Sequence, residues 1–191
     1  MLIGKNVRLA EYEPALAPLL TEWMNDPEYW GPFYNVWTST EPQWEAELAK
    51  DSDAYQRVSF VIRSRDDDRP LGTIGFFTPF TLSLLHRAFE IWYQVHPGER
   101  RRGVGHQAAA ILVDHLFSSQ PVERIQATVV SGNDASCAVL EKVGMQHEGT
   151  LRDLFFLRGR FVDLQMYSIV RKDWISEQAY RERFDFLGEQ R

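Results

Sequence analysis

The stretch "ERRRGVGHQAA", residues 99–109, guides the interpretation of the whole chain. Three consecutive arginines run into Gly-Val-Gly, and an apolar helical pattern begins immediately afterwards. The first N–H groups of a helix have no intrahelical partner, and the helix dipole adds partial positive charge at the same end. Glycines let the backbone approach a ligand closely, and arginines add charge-assisted hydrogen bonds. The stretch therefore predicts an anion-binding site, best suited to a phosphate or pyrophosphate.

Two familiar phosphate-binding loops fit this stretch poorly. A P-loop ends in Gly-Lys-Ser/Thr, whereas Gly105 is followed here by His106 and Gln107. The dinucleotide fingerprint has a variant ending in alanine, which Gly103, Gly105 and Ala108 match formally. No acidic ribose-binding residue follows convincingly at the expected distance, so that match is weak. A surface loop with solvated arginines remains an alternative interpretation.

Length and composition favour one globular domain in which positive charge is local. The chain has 191 residues, of which 44% are hydrophobic and 25% charged, and its formal net charge is −6. A negative net charge argues against bulk nucleic-acid binding, which usually shows a basic footprint. The single cysteine, Cys137, excludes an intramolecular disulfide framework and fits a reducing, cytoplasmic location. We expect no signal peptide and no membrane span, since no apolar run approaches the roughly 20 residues required.

Hydrophobic periodicity predicts one domain over residues 1–175, followed by an amphipathic tail over residues 176–191. The predicted element order is β-α-α-β-β-β-α-β-α-β-β, and the aromatic stretch at 29–40 is interpreted as a loop between the first two helices. Residues 151–171 alternate around Gly159 and Arg160 and predict a closing hairpin. A mixed sheet with helices packed on it is the simplest α/β (α+β) architecture for this order.

Several motifs along the chain share one family resemblance. Residues 100–105 fit the pattern Arg/Gln-x-x-Gly-x-Gly/Ala, with a strand before it and a helix after it. Further motifs follow in order: Asn133-x-x-Ser136, Leu140-Glu141-Lys142-Val143-Gly144-Met145, Glu148-Gly149, Gly159 with Asp163, and Tyr167-Ser168. Together they resemble the RimJ/RimL-like branch of the GNAT N-acetyltransferases, over nearly the whole chain. The resemblance implies the GNAT fold, a mixed and mostly antiparallel central sheet flanked by helices, with two strands splayed at the acyl-CoA cleft.

The resemblance also implies acetyl-CoA as the acyl donor. In this family the pantetheine arm lies between the splayed strands and pairs with strand backbone, while the pyrophosphate lies on the glycine loop. The donor-site residues implied here are Tyr93, Gln94, Val95, Arg100, Arg101, Arg102, Gly103, Val104, Gly105, His106, Asn133 and Ser136. No metal is expected, because no spacing of histidines, cysteines or carboxylates indicates a metal site.

Two residues are candidates for the catalytic proton transfers. Acetyl transfer to an amine requires a base for the amine proton and an acid for the leaving thiolate. Glu90 is the candidate base, since members of the branch often carry Glu there; a glutamate that pairs with an arginine or faces water is the alternative. Many family members place a tyrosine acid seven residues after the asparagine, where this chain has Leu140. Ser136 is therefore the candidate acid, with an ordinary helix hydroxyl as the alternative. Cys137 is expected to pack as a core thiol.

The sequence defines the amine acceptor only broadly. The early aromatic residues either pack as core under a loop or line a cleft, which would favour a cationic or flat substrate. The candidate substrate-binding residues are Trp30, Phe33, Tyr34, Trp37 and Glu90. Relatives of the branch acetylate protein N-termini, polyamines, amino acids and antibiotics. The expected partner is therefore a small-molecule amine or a protein N-terminus, with neither nucleic acid nor membrane.

The principal hypothesis is direct acetyl transfer from acetyl-CoA to a primary amine. Two alternatives keep the same fold: an acyltransferase with a different acyl donor, and a CoA-binding module that senses without catalysing. The missing tyrosine keeps the second alternative open. Dimers are common among such folds, so a homodimer is also an expectation, although no diagnostic interface pattern is visible.

Overall fold

The structure is a computed structural model that describes residues 2–36, 38–48, 57–79 and 88–174, together with Tyr180, Glu182 and Phe184. Within these residues, eight strands form one sheet. The strands are β1 (Leu2–Ile3), β2 (Val7–Glu11), β3 (Arg57–Ser64), β4 (Pro70–Phe77), β5 (Ala88–Val95), β6 (Arg124–Val130), β7 (Gln146–Leu157) and β8 (Arg160–Val170). Their order across the sheet is β1-β2-β3-β4-β5-β6-β8-β7.

The helices follow the predicted alternation with two additions. They are α1 (Ala17–Asn25), α2 (Pro27–Trp30), α3 (Glu41–Leu48), α4 (Val104–Ser119), α5 (Asp134–Val143) and α6 (Arg171–Trp174). The short strand β1 and the single-turn helices α2 and α6 were not predicted. Helix α2 overlaps the beginning of the predicted aromatic loop; Asp26 caps it by accepting a hydrogen bond from the Glu28 N–H, and Pro27 occupies its first position. No helix among the described residues is long and apolar enough to cross a membrane.

The parallel pair β5 and β6 interrupts an otherwise antiparallel order of neighbours among the described strands. Their register covers only Ala88–Glu90 against Arg124–Gln126, although β5 continues to Val95 and β6 to Val130. The two strands separate beyond that register, which leaves the edge of β5 over residues 91–95 without a ladder partner on this side. The mixed, mostly antiparallel sheet and the splayed strands are therefore confirmed.

Helices pack on both faces of the sheet because neighbouring strand residues point to opposite faces. On β3, Ile62 belongs to the main core with α4, whereas Val61 packs with Leu16 and Leu20 on the side of α1. The middle of α4, residues 108–113, is fully buried. A helix that is apolar on all sides is a buried helix, so this sequence fixes α4 in the centre of the domain.

Part of the C-terminal tail packs on its own domain. The tail residues Tyr180 and Phe184 are buried, as is Trp174 at the end of α6, and the Tyr180 hydroxyl donates a hydrogen bond to the Val143 carbonyl at 3.2 Å. The residues of the tail after Phe184 lie outside the described residues. The boundary between residues 175 and 176 stays a prediction.

Candidate active site

The glycine loop leads from the open edge of β5 into α4. Gly103 is the N-cap of α4 and has φ +78°, a left-handed conformation that favours glycine. No side chain of the described residues caps this N-terminus, so the first N–H groups of α4 are available for an anion. A methyl group added at Gly105 would lie 3.5 Å from Val95 and 3.7 Å from Tyr93. Because Gly105 has no side chain, a space remains between the start of α4 and β5. This space lies where the implied pantetheine and pyrophosphate of acetyl-CoA would bind.

The first arginine of the loop is bonded to backbone rather than exposed as a free charge. The Arg100 Nε donates to the Val95 carbonyl at 3.0 Å. Its Nη2 donates to the Tyr29 carbonyl at 2.7 Å and to the Glu28 carbonyl at 3.2 Å. Arg100 therefore joins the loop to α2 and to the end of β5.

The other two arginines differ from Arg100 and from each other. Arg102 Nη1 lies 3.3 Å from Glu99 Oε2, and Glu99 also accepts a hydrogen bond from Arg69 Nη1 at 2.5 Å. The Arg69 guanidinium holds the pKa of Glu99 below its usual range. Arg101 is exposed, has φ +63° and makes no hydrogen bond or ion pair with the described residues. Of the three arginines, Arg101 is thus the one most available to an incoming phosphate.

Glu90 lies at the last paired position before β5 and β6 separate. Its Oε1 accepts from Thr128 Oγ1 at 2.9 Å, and its Oε2 accepts from Gln126 Nε2 at 3.0 Å. The amide of Gln126 is oriented by its own Oε1, which accepts from Arg124 Nε at 2.9 Å. Neutral groups therefore orient Glu90, and no arginine or lysine of the described residues pairs with it. Burial raises the pKa of Tyr34, and the nearby Glu90 carboxylate raises it further.

Ser136 lies in the first turn of α5 and is held by two predicted donor-site residues. Asn133 is the N-cap of α5, and its Oδ1 accepts from the Ser136 N–H at 3.3 Å. The Tyr93 hydroxyl lies 2.8 Å from Ser136 Oγ and also donates to the Ser136 carbonyl at 3.3 Å. Burial raises the pKa of the Tyr93 phenol, so its hydroxyl stays protonated. Leu140, at the usual tyrosine position, is fully buried, and β5 supplies a phenol beside Ser136 instead.

The two candidate proton-transfer residues lie on either side of the gap between β5 and β6. Glu90 and Tyr93 are separated by three positions on β5, so their side chains point to opposite faces of the sheet. The hydroxyl pair of Tyr93 and Ser136 belongs to the face of α4 and α5, whereas Glu90 and Tyr34 belong to the other face. A thioester lying in the gap would be accessible from both faces.

Three of the predicted substrate-binding aromatic residues lie near Glu90 or near the N-terminus of α5. The ring of Tyr34 is 5.9 Å from that of Trp30 and 6.4 Å from that of Phe155. The ring of Phe33 lies close to Gly132: a Cβ added at that glycine would be 4.0 Å from Phe33 Cε1. All three predicted side chains are half-buried, so they form a partly exposed aromatic wall.

Two other aromatic residues, Tyr29 and Trp37, belong to the same segment of the sequence. Tyr29 is fully buried, stacks on Trp23 at 5.2 Å and shares a 3.0 Å hydrogen bond with Thr73 Oγ1. The core interpretation therefore holds for Tyr29. Trp37, which was predicted to bind substrate, lies outside the described residues.

Hydrogen bonds join the closing hairpin to the aromatic segment at Gly31 and Asn35. Asn35 Nδ2 donates to the Phe156 carbonyl at 2.8 Å, and the Arg158 N–H donates to Asn35 Oδ1 at 3.2 Å. Arg158 Nη2 also donates to the Gly31 carbonyl at 2.9 Å. Sequence reasoning missed these contacts because they join residues 121 to 127 positions apart, which leave no local pattern.

Sequence reasoning also missed the polar support of Glu90. Arg124, Gln126 and Thr128 alternate with apolar residues on β6, and this period-2 pattern is the signal that could have identified the partners of Glu90. Cys137 is half-buried and packs against the main core, in agreement with the prediction.

The remaining residues of the predicted acetyl-CoA site lie in different environments. The Gln94 side chain donates to the Tyr29 carbonyl, Val104 is buried, and the His106 ring lies 5.5 Å from that of Phe184. Among the described residues, no group of three His, Cys, Asp or Glu side chains is arranged to hold a metal ion.

Comparison with known proteins shows the family of this chain. A model of the acetyltransferase (GNAT) domain matches residues 6–146. YoaA of Bacillus subtilis, an uncharacterised N-acetyltransferase, is 37% identical over 114 residues, which are 60% of this chain and 63% of YoaA. The chain thus aligns with less than two thirds of the length of that relative.

Solved structures share the fold at low sequence identity. RimJ of Mycobacterium smegmatis in complex with CoA-disulfide has a TM-score of 0.79 at 20% identity, covering 93% of this chain and 90% of RimJ. A spermidine N-acetyltransferase of Vibrio cholerae in complex with CoA and spermine has a TM-score of 0.76 at 19% identity, covering 90% of this chain and 99% of that enzyme. Since the family model spans more than half of the sequence, the chain belongs to the GNAT acetyltransferase family.

Proposed function

We propose that this protein is an acetyl-CoA-dependent N-acetyltransferase that transfers an acetyl group directly to a primary amine. The observation that carries the proposal is the convergence of three features on the gap between β5 and β6. These are the glycine loop with the N-terminus of α4, the carboxylate of Glu90, and the hydroxyl pair of Tyr93 and Ser136.

The donor would bind across the loop and the open edge of β5. Acetyl-CoA supplies the acetyl thioester. Its pyrophosphate would accept hydrogen bonds from the first N–H groups of α4, beside the exposed Arg101. Its pantetheine amides would pair with the unpaired edge of β5 over residues 91–95. Two fold neighbours, RimJ and the spermidine N-acetyltransferase, have structures that contain CoA, which supports this binding mode.

The residues at the gap can perform both proton transfers. The amine nitrogen attacks the thioester carbonyl, so a C–N bond forms and the C–S bond breaks. Glu90, directly or through a water molecule, takes the proton that the amine loses. Ser136 Oγ–H gives a proton to the leaving thiolate. The protonated Tyr93 hydroxyl, 2.8 Å from Ser136 Oγ, is placed to replace that proton.

The acceptor would be a primary amine of a small molecule, such as an amino acid, a polyamine or an antibiotic, or a protein N-terminus. The support is the Glu90 carboxylate, which attracts a cationic amine, and the aromatic faces of Tyr34 and Phe155 nearby. A cytoplasmic location is part of this proposal, and the homodimer stays a prediction.

The test is CoA release from acetyl-CoA in the presence of a panel of amines, with the products identified by mass. The panel contains polyamines, amino acids, aminoglycosides and short peptides with free N-termini. A mass gain of one acetyl group on a single class supports the proposal and names the acceptor. Failure of the wild-type protein to bind acetyl-CoA would overturn the assignment of the donor site. Tight binding without turnover on any amine would favour a CoA-binding module, and turnover with a longer acyl-CoA alone would favour a different donor.

A further inference from the structure

The side chain of Arg100 bonds to the acceptor-side segment. By sequence Arg100 belongs to the pyrophosphate loop, yet its guanidinium donates to three backbone carbonyls, those of Val95, Glu28 and Tyr29. A guanidinium that forms these three bonds is already engaged within the protein. Its neighbour Arg101 carries the same charge one residue further along and has no such partner among the described residues.

Two of the three carbonyls that Arg100 binds, those of Glu28 and Tyr29, belong to the single-turn helix α2. The last carbonyls of a helix have no intrahelical donor, and cationic side chains stabilise that end. Gly31 follows with φ +66°, and an added Cβ there would lie 3.8 Å from Arg100 Nη1, so the guanidinium lies against the end of this helix. Gln94 also donates to the Tyr29 carbonyl, so one donor from β5 and one from the loop converge on it.

Residues 28–35, which we call the acceptor strap, are fastened at both ends. Arg100 holds the beginning of the strap to the glycine loop, and the closing hairpin holds the strap at Gly31, through the Arg158 side chain, and at its end, through Asn35. Between these two attachments lies Tyr34. Burial raises the pKa of its phenol, and the nearby Glu90 carboxylate raises that pKa further. Arg100 is therefore a direct connection between the glycine loop and the strap that carries Tyr34.

We propose that Arg100 is a positioning residue that couples acetyl-CoA binding to the order of the acceptor strap. Phosphate binding at the N-terminus of α4 fixes the loop, and Arg100 transmits that constraint to residues 28–31. If acetyl-CoA binding raises the affinity for the amine by some factor, thermodynamic linkage requires that amine binding raises the affinity for acetyl-CoA by the same factor. This inference rests on the proposed function and adds to it a role for Arg100 other than phosphate contact.

The test compares Arg100→Lys with Arg101→Lys by hydrogen–deuterium exchange of residues 28–35, with and without saturating acetyl-CoA. Lysine keeps the charge but lacks the planar fork that serves three carbonyls at once. In the wild type, we expect acetyl-CoA to slow exchange in the strap. We expect Arg100→Lys to bind acetyl-CoA almost as tightly and to lose most of that protection, whereas Arg101→Lys retains the protection. With an accepted amine, Arg100→Lys raises the amine KM by roughly tenfold, the value of one charged hydrogen bond.

Three outcomes would overturn the inference. The first is an Arg100→Lys variant that weakens acetyl-CoA binding as Arg101→Lys does and keeps the strap protected, which identifies Arg100 as a phosphate ligand. The second is a wild type that binds and turns over acetyl-CoA without protection of the strap. The third, available even if the Arg100 variant does not fold, is loss of the acetyl-CoA-dependent protection in Gln94→Met, which keeps Arg100 and removes the other side-chain donor to the Tyr29 carbonyl; that loss would assign the coupling to Gln94. A wild type that does not bind acetyl-CoA would instead overturn the proposed function.

Discussion

Replacing Glu90 by glutamine removes the candidate base and keeps its local contacts. The glutamine Oε1 can accept from Gln126 Nε2, whose orientation is held by Arg124, and the glutamine Nε2 can donate to Thr128 Oγ1. Two hydrogen bonds to a charged group become two neutral ones. Each of the two hydrogen bonds becomes weaker by about 1 kcal/mol. Part of this loss is offset because the variant no longer holds a half-buried charge. We therefore expect the free energy of unfolding to fall by no more than about 2 kcal/mol.

The effect of Glu90→Gln on catalysis should be much larger than its effect on stability. A positioned general base contributes about 10²–10⁴ to the rate, which corresponds to roughly 3–5 kcal/mol of activation free energy. We expect kcat to fall by that factor, with the affinity for acetyl-CoA unchanged because Glu90 faces the acceptor side. Activity of the variant should recover in part at high pH, where more of the free amine is already neutral.

The assay combines steady-state kinetics with the accepted amine, calorimetry with acetyl-CoA, and chemical denaturation. Glu45→Gln is the matched control, since Glu45 is an exposed glutamate on α3 outside the site. That control should leave kcat, affinity and stability as in the wild type. A Glu90→Gln enzyme with a wild-type kcat would refute the assignment of Glu90 as base. A variant that loses acetyl-CoA binding and turnover together would show that Glu90 supports the donor site instead.

Three further predictions concern the acid, the core and the hairpin. Tyr93→Phe removes the hydroxyl beside Ser136 and should lower kcat by roughly tenfold, the value of about one hydrogen bond, with little change in KM for the amine; an unchanged kcat would exclude Tyr93 from the proton path. Leu112→Ala deletes a fully buried side chain of α4 and should destabilise the fold by about 2–5 kcal/mol in urea denaturation; a loss below about 1 kcal/mol would contradict the burial. The Arg124 guanidinium lowers the pKa of Glu148 to about 2, from an ordinary value of 4.5. Their ion pair therefore stabilises the fold above about pH 4.5, and the stabilisation is lost as the pH falls toward 2. Because Glu148 is 40% exposed, Glu148→Gln should remove less than about 1 kcal/mol at neutral pH and flatten the stability profile between these pH values; parallel profiles would refute the pairing.

The order of elements was predictable because local periodicity reports it. The apolar stripe of α4 and the alternation of the closing hairpin appear directly in the sequence, and the structure confirms both elements. The short helix α2 was missed because its signal is a single cap, Asp26 followed by Pro27, inside an aromatic and aperiodic stretch. A helix of one turn has too few residues to show a period.

The candidate site was predictable in part, through residues that stand in local motifs. The glycine loop and the capping pair of Asn133 and Ser136 each lie within a few positions of one another, so a sequence pattern can contain them. The partners of Glu90 and Tyr93 come from elements 36 to 43 positions away. Their identity depends on which strands become neighbours, and that information is not local.

By itself, the sequence determined that a glycine-rich loop opens a helix and that helices pack on a mixed sheet. These features depend on backbone conformation and hydrophobic period, which neighbouring residues control. Only the tertiary structure decided that Tyr93 supplies a phenol beside Ser136 and that Arg100 binds the carbonyl of Tyr29. A guanidinium within a loop can donate to a phosphate or to a backbone carbonyl, and the sequence of the loop is the same in both cases. The choice between them depends on which group the folded chain brings within hydrogen-bond distance.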